Sequence, residues 1–580
     1  MIDTKLLVDT GSFLKRVWRL IAPYWRSEER VMAWLLLVAV VGLALGLVYI
    51  DVLFNYWNRD FYNALQEKGV EDFKALLLYF SLLAAIYIFG FIYRVYLTQM
   101  LQMRWRAWLT RVYLGEWMAD RAYYRLELDR GATDNPDQRI SEDLNKFTAG
   151  TLSLGLGLLS SVVTLISFAV ILWGLSGTLT IPLGAAELRI PGYMLWGAVL
   201  YAIVGSVLAH YVGRRLIGLN FAQERYEADF RFTLVRFREN AEGVALYRGE
   251  DTEQQSLLGR FGAVIHNWWA IMRANKRLNA YTAGYGQIAL IFPFIVGAPR
   301  YFAGEIDLGT LMQVASAFAT VQGALSWFVS SYATLADWKA SADRLLTFHH
   351  ALAEVRREAD EGAGVRVQAG AGDDVRVEGL DLVLPDGRVI LPDAGFALRR
   401  GERVLLSGPS GSGKSTLFRA LAGIWPFGRG RVHVPAGASM LFLPQKPYIP
   451  ITTLRAAVSY PAAPDAFDDA AVRAALADVR LGHFADRLDD TENWSMLMSG
   501  GEQQKLAVAR ALLHRPDWLF LDEATASLDE ATEQHVYALI RERLPDATLV
   551  SIAHRPGVAA YHERRFVFQA GSGAMRLAEE

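Results

Sequence analysis

The chain has no cysteine among its 580 residues and no large surplus of charge of either sign. The first absence excludes disulfide scaffolds, cysteine-ligated zinc, iron–sulfur clusters and thiol nucleophiles. The formal net charge of −2 gives no reason to expect a nucleic-acid partner, and none is predicted. Charged residues make up 21% of the chain, whereas hydrophobic residues make up 52%. What remains is a membrane protein, or a membrane domain joined to a soluble domain.

Six stretches in the first 340 residues lack Asp, Glu, Lys and Arg and are long enough to cross a bilayer. About 20 helical residues span the ~30 Å of hydrocarbon. The stretches are 31–50, 75–93, 153–175, 193–213, 278–299 and 308–336. No run of comparable length follows in the sequence. The sequence therefore predicts an all-α membrane domain of six spanning helices.

Lysine and arginine are distributed unevenly among the loops between these stretches. The N-terminal segment 1–30 and the loops 95–146 and 214–277 are rich in both, whereas the alternate loops have few. Cytoplasmic loops carry the excess of positive residues, so we expect the N-terminus and both long loops to be cytoplasmic. Residues 13–25 are predicted to form an interfacial amphipathic helix that anchors the chain.

The composition of the chain changes near residue 345. Residues 346–374 include a charged stretch rich in glycine and alanine, which predicts a linker. The linker would join a membrane domain at 31–345 to a soluble domain at 375–580. In the soluble part, short strand-like runs alternate with helical segments, which predicts an α/β domain with a substantially parallel sheet.

A glycine-rich loop follows one of these strands. Val404–Ser407 leads into the segment GPSGSGKS, and a helical segment comes next. Glycines let backbone N–H groups face phosphate oxygens and the helix N-terminus favours an anion, so the segment predicts a phosphate-binding loop. Lys414 would contact the β- and γ-phosphates, and the Ser415 hydroxyl would bind Mg²⁺. The residues predicted to bind the nucleotide here are Gly408, Ser410, Gly411, Ser412, Gly413, Lys414, Ser415 and Thr416.

Two carboxylates end a later apolar strand, in which Asp522 and Glu523 follow Trp518–Leu521. A carboxylate at the end of a strand beside a phosphate loop can hold Mg²⁺ through water, and the next can deprotonate the attacking water. Asp522 is therefore predicted as the Mg²⁺ partner and Glu523 as the general base.

A second glycine-rich helix start precedes that strand, where residues 499–503 read SGGEQ. A hydroxyl and free N–H groups at the positive end of a helix form an anion site. One nucleotide needs only one phosphate loop, so this segment is predicted to serve the nucleotide of another subunit. The residues concerned are Ser499, Gly500, Gly501 and Gln503.

These motifs, in this order, resemble those of the ATP-binding cassette (ABC) proteins. Segment 408–415 resembles the Walker A loop, 499–503 the signature motif, and 522–523 Walker B with the catalytic glutamate. The resemblance implies ATP and Mg²⁺ as ligands and a head-to-tail dimer, in which Walker A of one subunit faces the signature motif of the other. Leu384 stands where an adenine-stacking tyrosine is common, which leaves open how adenine is held.

The resemblance also assigns roles to residues outside the two loops. Gln445 matches the Q-loop, Asp529 the D-loop and His554 the switch histidine. By this resemblance the catalytic residues are Glu523, His554 and Gln445, Asp529 contributes to the ATP site, and the Mg²⁺ site comprises Ser415, Gln445 and Asp522.

Six spans followed by one cassette match an ABC half-transporter of the exporter-type fold, which implies a homodimer in a lipid bilayer. Residues 57–66 and 135–140 resemble the SbmA/BacA-like membrane domain, and the second segment also resembles the D-subfamily acyl-CoA transporters. By the same resemblance, 240–249 matches a second coupling region. The coupling residues are then Asn135, Pro136, Asp137, Gln138, Glu242 and Gly243.

The resemblance implies ATP-driven import of hydrophilic compounds, such as cobalamin or antimicrobial peptides, across a bacterial inner membrane with the ATPase domain cytoplasmic. Polar residues at 55–60 and in the sixth span fit a water-filled path, although they could equally cap helices and aid packing. The alternatives are an exporter or acyl-CoA and lipid transporter, and an ATP-gated channel or regulator. A non-transport ABC protein is disfavoured by the six spans.

Overall fold

The computed structural model describes residues 13–128, 135–183, 186–361, 364–370, 372–570 and 575–579. The chain divides into two compact units. The first comprises Met1–Leu114 and Asn135–His349, and the second comprises Gly115–Asp134 and His350–Glu580. A short part of the first long loop, 115–134, therefore belongs with the C-terminal unit.

Long helices dominate the chain up to residue 361. Within the described residues six helical stretches are long and apolar enough to cross a membrane, and each contains one predicted span. The predicted six-helix membrane region is thus confirmed. The helices are α1 Phe13–Ile21, α2 Arg30–Glu67, α3 Val70–Met118, α4 Ala122–Leu128, α5 Pro136–Gln138, α6 Leu144–Ser176, α7 Tyr193–Glu239, α8 Ala241–Tyr247, α9 Glu250–Phe302, α10 Leu308–Ser330 and α11 Tyr332–Glu361.

Several of these helices are much longer than a bilayer requires. Helix α7 has 47 residues and α9 has 53. At about 1.5 Å per residue each exceeds the ~30 Å of hydrocarbon more than twofold, so both extend well beyond it. A backbone hairpin of β1 (Thr178–Leu183) and β2 (Ala186–Pro191) joins α6 to α7, and the sequence does not predict it.

The segment 57–66, which carries the SbmA/BacA resemblance, packs against the start of α10. Asn63 Oδ1 accepts the backbone N–H of Gly309 at 2.8 Å, and Gln66 Oε1 accepts that of Leu308 at 3.1 Å. The Asn63 amide also donates to Asp307 at 2.9 Å. Polar side chains of α2 thus satisfy N–H groups that the first turn of α10 leaves free. Asn55, in the polar segment 55–60, also exchanges hydrogen bonds with Gln313 of α10, which supports the alternative that these polar residues cap helices and aid packing.

This contact leaves no room for a side chain at position 309. A Cβ atom on Gly309 would collide with the backbone oxygen of Arg59 and the amide of Asn63. We expect Gly309→Ala to lower the free energy of unfolding by about 2 kcal/mol, because a backbone oxygen cannot move aside. Thermal unfolding in detergent would measure this. Gly323→Ala, in open space on the same helix, is the matched control, and an equal melting temperature for both variants would contradict the prediction.

The second unit contains a sheet that is parallel except for its β13–β14 pair, together with helices, and a smaller, mostly antiparallel sheet. The parallel α/β domain predicted from the sequence is confirmed, with strand order β14-β13-β6-β12-β11-β8, and the smaller sheet has order β3-β7-β4-β5. The strands are β3 Val365–Gly370, β4 Val375–Val383, β5 Val389–Leu398, β6 Arg403–Ser407, β7 Gly428–Pro435, β8 Met440–Leu443, β9 Thr452–Thr453, β10 Thr491–Glu492, β11 Trp518–Asp522, β12 Thr548–Ile552, β13 Arg564–Ala570 and β14 Met575–Glu579. The helices are α12 Lys414–Leu421, α13 Leu454–Ser459, α14 Asp469–Asp478, α15 Trp494–Leu497, α16 Gly500–His514 and α17 Glu530–Arg543.

The region 346–374, expected to be a linker, contains regular structure. Its first part continues α11 to Glu361, and Val365–Gly370 forms β3, which pairs with β7. Residues 362, 363 and 371 lie outside the described residues. Alternating valines at 365 and 367 give this stretch a strand pattern that its glycine and alanine content masks in the sequence.

Candidate functional site

Four parallel strands bring the predicted catalytic residues to one edge of the sheet. Strands β6, β12, β11 and β8 are successive parallel neighbours, so their carboxyl ends share an edge. The phosphate loop follows β6, His554 follows β12, Glu523 follows β11 and Gln445 follows β8. Ligands of open α/β sheets bind at this edge.

The phosphate loop curls around the Lys414 side chain. Lys414 is buried, and its ammonium donates to the backbone oxygens of Gly408 at 3.0 Å and Pro409 at 2.8 Å. Burial lowers the pKa of Lys414, opposed by the nearby carboxylates of Glu523 and Asp522. The buried Ser412 hydroxyl has no hydrogen-bond partner within the described part of the chain. An incoming phosphate would give both groups acceptors.

Gly413 allows the turn into α12. Its φ of +99° is in the left-handed region, which side chains disfavour. A Cβ there would also lie 2.5 Å from Ile390 Cγ2. The glycine before Lys414 is therefore required by both the turn and the packing.

Ser415 and Asp522 meet between the phosphate loop and β11. The Ser415 hydroxyl donates to Asp522 Oδ1 at 2.9 Å. Burial raises the pKa of Asp522, and the bond from Ser415 opposes that rise. No cluster of three His, Cys, Asp or Glu residues that could hold a metal exists among the described residues. A cation here would need oxygens from a nucleotide, which suits Mg²⁺ because it binds few carboxylates and completes its shell with phosphate and water.

Glu523 is held by both of its predicted catalytic partners. Gln445 Nε2 donates to one carboxylate oxygen at 2.9 Å, and His554 Nε2 lies 3.1 Å from the other. Glu523 also has φ +49°, a left-handed conformation that costs a non-glycine residue about 1 kcal/mol. Such backbone strain concentrates at functional sites. The three residues can therefore position and deprotonate a water molecule.

The signature segment forms the N-terminus of α16. Ser499 is its N-cap, and its backbone N–H and hydroxyl both reach Glu502 Oε2 at 2.9 Å. The N–H of Glu502 donates back to the Ser499 hydroxyl at 3.3 Å, which completes a capping box. Gln503 turns inward and donates to the backbone oxygens of Ser495 and Met498. Its side chain therefore stabilises the turn before α16.

Asp529 and Leu384 each contact nearby residues of their own domain. Asp529 caps α17 by accepting the Thr532 N–H at 2.9 Å. Leu384 begins the turn between β4 and β5, where its N–H donates to the backbone oxygen of Arg388, and its side chain packs against the domain core.

Three residues around the site are missed by the sequence reasoning: Glu502, Gln504 and Arg555. Glu502 had a readable signal, since Ser followed three residues later by Glu is the capping-box pattern. Gln504 and Arg555 have none, because their partners are backbone groups at distant positions.

The two predicted coupling segments, 135–138 and 242–243, differ from each other in local structure. Asn135 precedes α5, which starts at Pro136, and a π-helical turn joins α5 to α6. Glu242 and Gly243 lie in α8, which ends near the exposed side chains of Leu246 and Tyr247. Neither segment belongs to the C-terminal unit of the same chain.

A neighbouring stretch, by contrast, contacts the ATPase part directly. Residues Asp120 and Arg121 have positive φ and end the long helix α3 in a kink. Arg121 Nη1 then donates to the backbone oxygen of Ala422 at 2.8 Å, at the C-cap of α12. A cation at a helix C-terminus is favourable. Helix α12 begins at Lys414, so this contact reaches the helix of the phosphate loop.

Comparison with protein families matches both halves of the chain. Residues 19–302 match the family described as ABC transporter transmembrane region 2. Residues 391–526 match the family described as ABC transporter. The motif residues of the sheet edge up to Glu523 fall in the second match, and Asp529 and His554 lie beyond its end.

Relatives and a solved structure agree along nearly the whole length. The chain is 36% identical to the inner membrane ABC transporter ATP-binding protein YddA of Escherichia coli K12, over 93% of this chain and 94% of that protein. It is 33% identical to ABC transporter D family member 2, chloroplastic, of Arabidopsis thaliana, over 96% and 86%. A bacterial Atm1-family ABC exporter with ATP bound shares the fold, with a TM-score of 0.72 at 20% identity over 94% of each chain.

The chain has six apolar helices followed by an ATPase domain, and its relatives match both parts. These findings identify its family. The chain belongs to the ABC transporter family, as a D-subfamily-like half-transporter that hydrolyses ATP.

Proposed function

We propose that this half-transporter forms a homodimer that exports an amphipathic, acyl-bearing substrate from the cytoplasmic side of a bacterial inner membrane. Half-transporters of this family typically work as dimers. The observation that carries the ATP-driven part is the Glu523 carboxylate held between Gln445 and His554, beside Ser415 and Asp522.

In the proposed reaction, Glu523 accepts the proton of the water that attacks the γ-phosphate. Gln445 and His554 fix the carboxylate, and Lys414 exchanges its loop carbonyls for phosphate oxygens. Ser415, Asp522 and Gln445 would hold Mg²⁺, which supplies neutralisation of the charge on the β- and γ-phosphates. The remaining predicted residues of the loop surround the phosphates with N–H groups. Ser499 with its glycines would complete the ATP site of the other subunit.

Two observations support the substrate class and direction. The neighbouring solved structure is described as an exporter. D-family relatives match almost the whole chain, and segment 135–140 resembles the D-subfamily acyl-CoA transporters. The polar segment 55–60, which would favour a hydrophilic path, includes Asn55, whose buried side chain is instead hydrogen-bonded to Gln313 of α10. Import of cobalamin or peptides stays a prediction with no structural contact behind it.

Transport into proteoliposomes tests this proposal. Vesicles with outward-facing ATPase domains would receive ATP together with labelled acyl-CoA, cobalamin or an antimicrobial peptide. We expect ATP-dependent accumulation of the acyl compound, with Glu523→Gln protein as the inactive control. Accumulation of cobalamin or peptide in vesicles of the opposite orientation, loaded with ATP, would establish import and overturn the proposal. Conductance without ATP-coupled accumulation would identify a channel.

We propose further that the segment around Arg121 transmits motion between the membrane helices and the phosphate loop, together with the predicted coupling residues. Two consecutive residues with left-handed backbone conformations, 120 and 121, raise the free energy of the folded chain. A stabilising contact, which Arg121 makes with Ala422, must therefore hold the kink. The predicted segment 135–138 leads into Asp143, which is buried and bonded to Arg139 and Arg344 within the membrane unit. The first loop would thus be fixed at both ends.

Arg121→Ala should uncouple transport from ATP hydrolysis. The variant loses one charge-assisted hydrogen bond, about 1 kcal/mol, so transport per ATP hydrolysed should fall roughly fivefold while basal hydrolysis stays within about twofold. Parallel measurement of phosphate release and substrate uptake checks this. Arg125→Ala removes the same charge from the adjoining helix α4 and should change neither rate. Equal coupling ratios in the two variants would count against the role of Arg121.

A further inference from the structure

We infer that Gln504 is a positioning residue that links the two ATP sites of the dimer, an inference that rests on the proposed homodimer. Gln504 lies in the second turn of α16 and is 2% exposed. Its Nε2 donates to the backbone oxygen of Gln445 at 2.9 Å and lies 3.5 Å from that of Glu523. Its Oε1 accepts the backbone N–H of Ser527 at 2.9 Å.

The partners of Gln504 belong to segments with different tasks. Gln445 and Glu523 act on the ATP bound by their own subunit, whereas Ser499 at the start of the same helix would face the ATP of the partner. Ser527 lies in the loop between Glu523 and Asp529. One side chain therefore ties the helix that contacts one ATP to the backbone that positions the base for the other.

The loop that carries Ser527 is held from its other side by the residue after the switch histidine. Arg555 donates to the backbone oxygens of Leu528 at 2.6 Å and Ala526 at 3.2 Å. The start of α16 also approaches this loop closely, because a Cβ on Gly501 would be 3.2 Å from the Ser527 oxygen. A shift of α16 must therefore displace the loop, and through Gln504 it must also displace the backbone of Gln445.

Glutamine suits this position because its amide donates on one side and accepts on the other. Glutamate at 504 would keep the acceptor for Ser527 but would face two backbone oxygens with a negative charge. Methionine would keep the length of the side chain and lose every hydrogen bond. The two variants thus remove the proposed link by different means and with little change in volume.

The first test is ATP hydrolysis by full-length Gln504→Met and Gln504→Glu dimers in proteoliposomes. We expect the maximal rate to fall about tenfold and the Hill coefficient to fall from near 2 to near 1, because coupled sites give a value up to the number of sites. Gln534→Met, on the exposed face of α17, is the control. Melting temperatures show that both variants fold, and an unchanged Hill coefficient in folded protein would overturn the inference.

Mixed dimers provide the second test. One chain carries Glu523→Gln, so a single ATP site turns over, and Gln504→Met is placed in that chain or in the other. We expect a loss of about fivefold or more from either placement, because Gln504 acts on its own base and on the partner's ATP. Loss from one placement alone would show a purely local role and overturn the inference. Absence of hydrolysis in the wild type would instead contradict the proposed function, and this inference with it.

Discussion

Replacement of Glu523 by glutamine is expected to lower the maximal rate of ATP hydrolysis about 10³-fold while leaving ATP affinity within about threefold, since a positioned general base contributes roughly 10²–10⁴-fold. The amide has the same shape, and it can still meet Gln445 and His554, whose side chains lie 2.9 and 3.1 Å from the carboxylate. It cannot accept a proton at neutral pH. Phosphate release and binding of a fluorescent ATP analogue measure the two quantities.

The control for this variant is Glu542→Gln, which removes a carboxylate from the exposed end of α17. It should hydrolyse ATP at the wild-type rate. A Glu523→Gln protein that keeps more than about a tenth of wild-type turnover would show that the base lies elsewhere. Loss of ATP binding would show instead that Glu523 is needed for the shape of the phosphate site.

Much of this ATP site is predictable from the sequence, because its residues directly follow hydrophobic strands. A hydrophobic run such as Trp518–Leu521, followed by two carboxylates, indicates both that a strand is present and where it ends. In a parallel sheet, such ends share one edge whatever the length of the connections between them. The motif residues of β6, β8, β11 and β12 are brought together for that reason alone.

Residues whose role depends on distant backbone groups could not be found in this way. Gln504 is one of two adjacent glutamines in the sequence, and only the structure distinguishes the second, whose partners are 59 and 23 residues away. The sequence predicts strand-like runs at the start of the soluble domain, but it does not predict that they form a second, smaller sheet. Its strands β4 and β7 pair with register shifts, so the alternation of buried and exposed residues is interrupted.

In the membrane domain, the polar residues can be recognised in the sequence but their role cannot. The polar residues at 57–66 are easy to see, yet their meaning lies in α10, whose first backbone N–H groups are more than 240 residues away. A polar side chain near a spanning helix either lines a path or satisfies a helix end, and periodicity does not distinguish the two. Contacts across helices decide between them.

Removal of the Lys414 ammonium is expected to have the second large effect, on ATP binding itself. Lys414→Met keeps the apolar stem of this buried side chain and removes the charge. In the described structure, the ammonium donates hydrogen bonds to the carbonyls of Gly408 and Pro409, so the buried charge has acceptors within the loop. Phosphate oxygens would replace those carbonyls on binding. We expect ATP affinity to fall about 100-fold, because charge-assisted hydrogen bonds to phosphate are among the strongest in proteins.

Titration with a fluorescent ATP analogue measures that loss, with Arg541→Met on the exposed surface of α17 as the charge-matched control. Lys414→Arg should restore little, because a planar guanidinium is larger than the enclosed position of the ammonium and cannot donate in the same directions. Together with Glu523→Gln, the variant separates binding from turnover. If Lys414→Met binds ATP normally but does not hydrolyse it, the lysine acts on the transition state alone, and its proposed exchange of carbonyls for phosphate oxygens on binding would be wrong.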